Sequence, residues 1–200
     1  MTFLLGLSRL IDKFNDQIGK LVRWLVLGAV LISAGNAIVR KAFDTSSNAL
    51  LEIQWYRFAG VFMLGAGYAF LRNVHVRIDF ISSKLSKRTN AVIDALGIVV
   101  FLIPLCVIMG WLSWPLFYNA WVTGEMSSNA GGLIRWPVLA LMPAGFAILL
   151  AQALSELIKR IAFLLGDIPE PLSMESHKSD EEILAEELAL EAEKKLAGVK

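Results

Sequence analysis

Glu52-Ile53-Gln54-Trp55-Tyr56-Arg57-Phe58 opens a stretch that runs on through a glycine-rich apolar segment from Ala59 to Leu71. It leaves by Arg72-Asn73-Val74-His75-Val76-Arg77-Ile78-Asp79. A polar and aromatic start, an apolar middle and a basic exit describe one membrane crossing, because aromatic rings and basic side chains settle at the two interfaces while the middle meets hydrocarbon. The composition of the whole chain agrees: 56% of its 200 residues are hydrophobic and the mean hydropathy is +0.59. That is too apolar for a water-soluble domain of this size, so the chain reads as an all-α integral membrane protein.

Inside the crossing at 49–71, Ala59, Gly60, Met63, Ala66 and Gly67 share one helical face narrow enough for another helix to approach closely. Arg57 is the costly residue, about 12 Å along the helix from Ala49. A central arginine costs up to about 3 kcal/mol on insertion scales, so it needs a partner or must snorkel. Glu52 and Glu125 are the acids within reach of that reading, with a partner protein or lipid headgroups as the other options.

Beyond this crossing, three more segments are long enough to span: 21–39, 91–117 and 136–158. The first covers about 28 Å, close to the hydrocarbon thickness. Asp44-Thr45-Ser46-Ser47-Asn48 supplies caps for the second. The third has Asp94 in its first turn and Pro104 near its middle, and ends in the aromatic belt of Trp111, Trp114, Tyr118 and Trp121. Trp136 and Pro137 open the fourth, in which Pro143 predicts a kink.

Residues 1–20 carry Phe3, Leu4, Leu7, Leu10, Ile11, Phe14 and Ile18 at helical spacing, opposite Arg9, Asp12, Lys13, Asp16 and Lys20. This predicts an amphipathic helix lying flat in the interface. A second, short interfacial helix is expected over 80–85, with Asp79 as its cap and Lys84, Lys87 and Arg88 on its basic side. Residues 167–200 hold ten acids and four lysines behind a Pro169-Glu170-Pro171 break, the composition of a solvated acidic tail. Four spans with both termini inside place eleven Lys and Arg residues near the spans on the inner side and only Arg40, Lys41 and Arg135 outside. The expected layout is therefore N-in and C-in, with a membrane domain over 21–160.

No catalytic, cofactor or metal constellation is visible. The chain lacks a phosphate-cradling glycine loop and HExxH or CxxC motifs, and neither His75 nor His177 falls within a span to ligate a haem. Cys106, the lone cysteine, lies in an apolar run and reads as a packing residue. Glu52, Asp94 and Glu125 all lie near span ends, unlike the deep carboxylate usual in a self-sufficient ion-coupled exporter. An accessory or scaffold role is expected, with enzyme activity and nucleic acid binding set aside.

Glu52-Ile53-Gln54-Trp55-Tyr56, Gly65-Ala66-Gly67-Tyr68, His75-Val76-Arg77-Ile78-Asp79, Asn129-Ala130-Gly131-Gly132-Leu133 and Arg135-Trp136-Pro137 together resemble the small membrane subunit (the Q subunit) of tripartite ATP-independent periplasmic, or TRAP, transporters. The resemblance spans roughly 20–160. It implies a bacterial inner-membrane complex that imports organic acids or related solutes on a sodium gradient. A periplasmic binding protein would capture the substrate, a large multi-span subunit would carry it by an elevator-like motion, and this chain would pack against that subunit as a static frame anchored among membrane lipids. Under that reading Glu52, Gln54, Trp55, Tyr56, Ala59, Gly60, Ala66 and Gly67 form a packing or partner interface, either within the chain or against the large subunit. His75, Arg77 and Asp79 hold the cytoplasmic turn, and Glu125, Asn129, Arg135 and Trp136 are periplasmic contact residues. The alternative from a different class is a stand-alone small transporter acting as a homo-oligomer, with Arg57 and Glu52 as its polar site.

Overall fold

A computed structural model describes residues 2–43, 48–73 and 85–168 of the chain. The short helix expected over 80–85, the motif His75, Arg77 and Asp79, and nearly all of the acidic tail lie outside those residues.

Four helices make up the described protein: α1 Thr2–Phe43, α2 Asn48–Leu71, α3 Lys87–Thr123 and α4 Trp136–Leu165. Each end has a local cause. Arg40 and Lys41 complement the dipole in the last turn of α1. Ser86 caps α3 by accepting from the Thr89 amide at 3.1 Å. Gly124 and Gly166 stop α3 and α4 in the left-handed conformation, at φ 61° and 84°. Pro137 sits in the first turn of α4, where its missing N–H is no loss.

Three prolines lie inside the helices: Pro104 and Pro115 in α3 and Pro143 in α4. Pro104 cannot donate a hydrogen bond and crowds the carbonyl four residues back; α3 meets this with a π-helical segment, Ile98–Leu102, in which the Ile103 amide reaches back to the Ile98 carbonyl. At Pro143, where a kink is expected, α4 stays helical, as it does over all of its 30 residues.

Neighbour pairs define the topology. Gly28, Leu25, Val22 and Gly19 of α1 face Arg57, Gly60, Gly65 and Tyr68 of α2, so these helices are antiparallel. Gly60, Met63 and Gly67 face Leu141, Gly145 and Ile148, so α2 and α4 are parallel. Arg160 meets Asp94, Phe146 lies by Gly110 and Trp136 packs edge-on against Trp121, which sets α3 antiparallel to α4. The chain therefore runs up, down, up and down. α4 is the central helix: it packs against α1, α2 and α3, whereas among the described residues α3 has α4 as its only substantial helical neighbour.

The interior inverts the pattern of a water-soluble bundle. Its buried apolar residues are mostly small, among them Ala91, Ala120, Ala153 and Ala162, while Phe101 and Trp111 of α3 are 74% and 78% exposed. Helices in lipid gain nothing by hiding large apolar side chains from solvent; they associate through small residues and interhelical hydrogen bonds.

Two expectations change. The interfacial helix over 1–20 is not a separate element, because α1 continues through it for 42 residues, about 63 Å. Gly19 causes no break; without a Cβ it admits the Tyr68 ring, which a Cβ there would approach to 2.3 Å. Second, among the described residues three helices, not four, are long and apolar enough to cross a membrane: those at Phe3–Phe43, Lys87–Thr123 and Trp136–Leu165. α2 falls short because Glu52, Gln54 and Arg57 crowd its first half, leaving an apolar run from Ala59 to Leu71 of about 20 Å.

Candidate functional site

The polar side chains gather in three places along the bundle. The first is the end where α2 and α4 begin. Asn48, Glu52 and Tyr56 recur at i, i+4 and i+8 and so share one face of α2. All three grip the connection between α3 and α4. Glu52 accepts hydrogen bonds from the Ser127 hydroxyl, from Asn129 Nδ2 at 2.7 Å and from the Leu133 amide at 2.7 Å. Asn48 donates to the Ala130 carbonyl at 3.0 Å and the Tyr56 hydroxyl to the Ile134 carbonyl at 3.1 Å.

That connection is itself a small hairpin. Met126 and Ile134 pair in an antiparallel bridge, the Ser127 amide donates to the Leu133 carbonyl at 2.9 Å, and Arg135 forms an ion pair with Glu125 across the base. Its tip explains the Asn-Ala-Gly-Gly run. Gly131 has φ +69°, a conformation with little steric cost only for glycine. At Gly132 a Cβ would lie 2.6 Å from the Ser127 Cβ and 2.8 Å from Glu52 Oε1. The carboxylate of Glu52 thus supplies the acceptor for the Leu133 amide, while the hairpin meets its other backbone needs by the Ser127–Leu133, Asn129–Gly132 and Glu125–Arg135 bonds. We expect Glu52→Gln, which loses acceptor capacity and charge, to raise hydrogen exchange several-fold at amides 127–134 while the helix interiors keep their protection; unchanged exchange there would remove Glu52 from this role.

Gln54 takes no part in the clamp, and Trp55 is 72% exposed. Trp136 packs edge-on against Trp121 with centroids 4.5 Å apart, closing the same end with an aromatic pair.

The second place is mid-bundle. Arg57 pairs with neither of the two acids offered for it, Glu52 and Glu125, since the hairpin engages Glu52 and Arg135 engages Glu125. Its guanidinium donates instead to the Gly28 carbonyl of α1 through Nη1 and to Ile53 O at 3.2 Å through Nε, leaving Nη2 buried without a partner among the described residues. Beside it lies the small-residue face. Gly60 is buried between Leu25 and Leu141, and Gly67 sits against Asn15 and Ile148; both contacts are to helices of this same chain. Ala59 and Ala66 flank them, half-buried.

The third place was not singled out from the sequence. Near the other end, Ser8, Asp12 and Asn15 of α1 meet Gln152, Ser155, Glu156 and Lys159 of α4. Ser8 and Ser155 share a 2.7 Å hydroxyl contact, and Asn15 Nδ2 donates to Gln152 Oε1 at 2.8 Å. Asp12 accepts from Ser155 at 2.8 Å, from Gln152 at 3.0 Å and from Lys159 at 3.0 Å. Glu156 accepts from Lys159, from Gln152 at 3.1 Å and from Arg160 Nη1 at 2.6 Å, and Arg160 reaches on to Asp94 of α3 at 3.3 Å. Gln152 and Glu156 are wholly buried. The network therefore ties three helices together through buried polar and charged groups that would be costly to leave unpaired.

One signal for it was present in the sequence. Ser8, Asp12, Asn15 and Gly19 fall at i, i+4, i+7 and i+11, a seam of small and polar residues of the kind that joins membrane helices. The amphipathic reading turned the apolar face towards acyl chains or a partner helix and gave the polar face no partner; the structure packs the polar face on α4.

Among the described residues, no group of three or more His, Cys, Asp and Glu side chains is arranged to hold a metal ion. Compared with known proteins, residues 29–163 match the family model described as tripartite ATP-independent periplasmic transporters, DctQ component. No curated protein and no solved structure matches the chain.

Proposed function

The chain belongs to the DctQ family, the small membrane subunits of TRAP transporters, and from that membership we propose that it is the static frame of a sodium-driven importer of organic acids or related solutes. In this reading a larger multi-span subunit carries the solute, a periplasmic binding protein delivers it, and this chain packs against the larger subunit in the bacterial inner membrane. One observation carries the assignment: the carboxylates of its crossing helices are spent on holding the chain together. Glu52 clamps the hairpin, and Asp12 and Glu156 bind α1 to α4. A carrier needs such groups free to meet and release its cargo; a frame needs them fixed.

α2 crosses as the fourth helix under this reading. Its run from Gly60 to Gly67 lies beside Leu141 to Ile148 of α4, within a helix apolar enough to span. Arg57 is carried across by donating to helix carbonyls. Both termini face the cytoplasm. The topology supports this by bringing Arg9, Lys13, Lys20, Arg72, Lys87, Arg88, Lys159 and Arg160 to one end, and Arg40, Lys41 and Arg135 to the other. The hairpin with Glu125, Asn129 and Arg135 then stands on the periplasmic side, available to the larger subunit or the binding protein.

Purification of the tagged chain from its native membrane in mild detergent tests the proposal. A larger multi-span protein should remain bound in stoichiometric amount, and uptake should require both chains. Recovery of this chain alone as a homo-oligomer, with solute uptake in liposomes containing nothing else, would overturn it.

A further inference from the structure

The first turns of α1 face the wrong way for a helix that packs by its apolar side. Ser8, Asp12 and Asn15 point into the bundle, while Phe3, Leu7, Leu10 and Phe14 are 82%, 43%, 65% and 56% exposed. These four form one stripe about 16 Å long. Lipid does not account for it simply, because α1 is about 63 Å long and the hydrocarbon about 30 Å thick. The ion pairs of Asp16 with Lys20 and with Arg72, just past the last residue of α2, mark a polar level at which the crossing ends. Residues before Asp16 stand beyond that level. The network with α4 also holds them in line with the crossing helix, rather than flat in the interface as a surface-bound helix must lie.

The uncovered stripe has a basic edge. Arg9 and Lys13 lie along one side of it, both exposed, and no described acid pairs with either. α4 is antiparallel to α1 here, with Ser155 beside Ser8, so the chain after Leu165 departs next to the first turn of α1. It leads into the acidic segment. Over 181–196, Leu184, Leu188, Ala192 and Leu196 repeat every four residues and so share one helical face, with Glu187 and Glu191 along one border and Glu182, Glu186 and Glu193 along the other.

We propose that residues 181–196 dock as an amphipathic helix on the Phe3, Leu7, Leu10 and Phe14 stripe of α1, with Glu187 and Glu191 meeting Arg9 and Lys13. Three features favour this occupant over a lipid surface. The charges are complementary, the segment's own acids repel anionic headgroups, and its attachment beside the stripe makes the encounter intramolecular, at an effective concentration in the millimolar range for a short tether. Both the stripe and the segment lie outside residues 29–163, the part of the chain that matches its family.

The test uses the full chain in nanodiscs of phosphatidylethanolamine and phosphatidylglycerol, with Cys106→Ala removing the native thiol and Leu10→Cys supplying the probe site. A membrane-impermeant maleimide reports its accessibility. Labelling should be slow in the full chain and about tenfold faster when the chain stops after Ile168, the rate change that corresponds to roughly 1.4 kcal/mol of protection. Glu187→Lys with Glu191→Lys should speed labelling at unchanged length, and adding Arg9→Glu with Lys13→Glu should slow it again. Equal rates with and without the segment overturn the proposal. Slow in both means lipid covers the stripe, and fast in both means nothing does. A Leu10→Cys disulfide dimer that forms regardless of the segment assigns the stripe to a second copy of the chain and equally overturns it.

Discussion

Glu156→Ala is expected to destabilise the chain by about 3–5 kcal/mol, the usual consequence of removing one partner from a buried ion pair. Glu156 is wholly buried, and its two oxygens take donors from Gln152, Lys159 and Arg160. Without it Arg160, only 2% exposed, keeps a single carboxylate, Asp94, at 3.3 Å. The larger part of the cost is this stranded cation rather than the lost attraction. A second variant separates the two: Glu156→Met with Arg160→Met removes both charges and should cost less than Glu156→Ala alone. Reversible unfolding in mixed micelles, followed by helicity, gives both values, and hydrogen exchange should rise most in the first four turns of α1, whose polar side ends in this network. If Glu156→Ala unfolds at the same denaturant concentration as the parent, the network does not hold α1 to α4.

Gly145→Ala is expected to cost about 1–3 kcal/mol, the range for overfilling a packed interior. A Cβ at this position would lie 2.7 Å from the Met63 carbonyl oxygen, 2.9 Å from the Met63 Cβ and 3.0 Å from the Met63 carbonyl carbon. Backbone cannot rotate aside as a side chain can, so α2 and α4 must separate along the length they share. The same substitution at Gly110 provides the comparison, because a Cβ there would meet only the Phe146 Cβ at an ordinary 3.9 Å. Gly110→Ala should be neutral or slightly stabilising, since alanine is worth about 0.5–1 kcal/mol over glycine inside a helix. Equal effects in the same unfolding assay would mean that the α2–α4 contact is looser than the structure has it.

These two residues also show how far a chain of this kind can be read from its residues in order. Gly60 and Gly67 stood out because small residues on one face of an apolar helix have few explanations other than close approach. Gly145 did not, since its counterpart is the backbone of Met63 on a helix some eighty residues away, and backbone leaves no mark in side-chain periodicity. Glu52, Asn129 and Arg135 were legible as polar residues at a span end, and the structure brings the first two together through the hairpin. Ser127 and Asn48, which complete the clamp, look like ordinary loop and cap residues until the hairpin folds over α2. Arg57 was recognised as costly, yet its partner is the Gly28 carbonyl, a group every residue carries and no sequence pattern can single out.

The helical membrane class, the apolar segments, the glycine face of α2 and the family are all set by the sequence alone, because each depends on composition, on spacing along one helix or on a local motif. Tertiary structure alone decided which face of α1 turns inward, that α4 is the central helix, and that Asp12, Gln152, Ser155, Glu156, Lys159, Arg160 and Asp94 form one network. Periodicity reports that a helix has two unlike faces; it does not report which of them its neighbours need. In a water-soluble bundle the apolar face nearly always goes inward; the first turns of α1 make the opposite choice. Here the buried polar groups of α4, which need partners once they are out of water, drew the polar seam of α1 inward and left the apolar stripe outside.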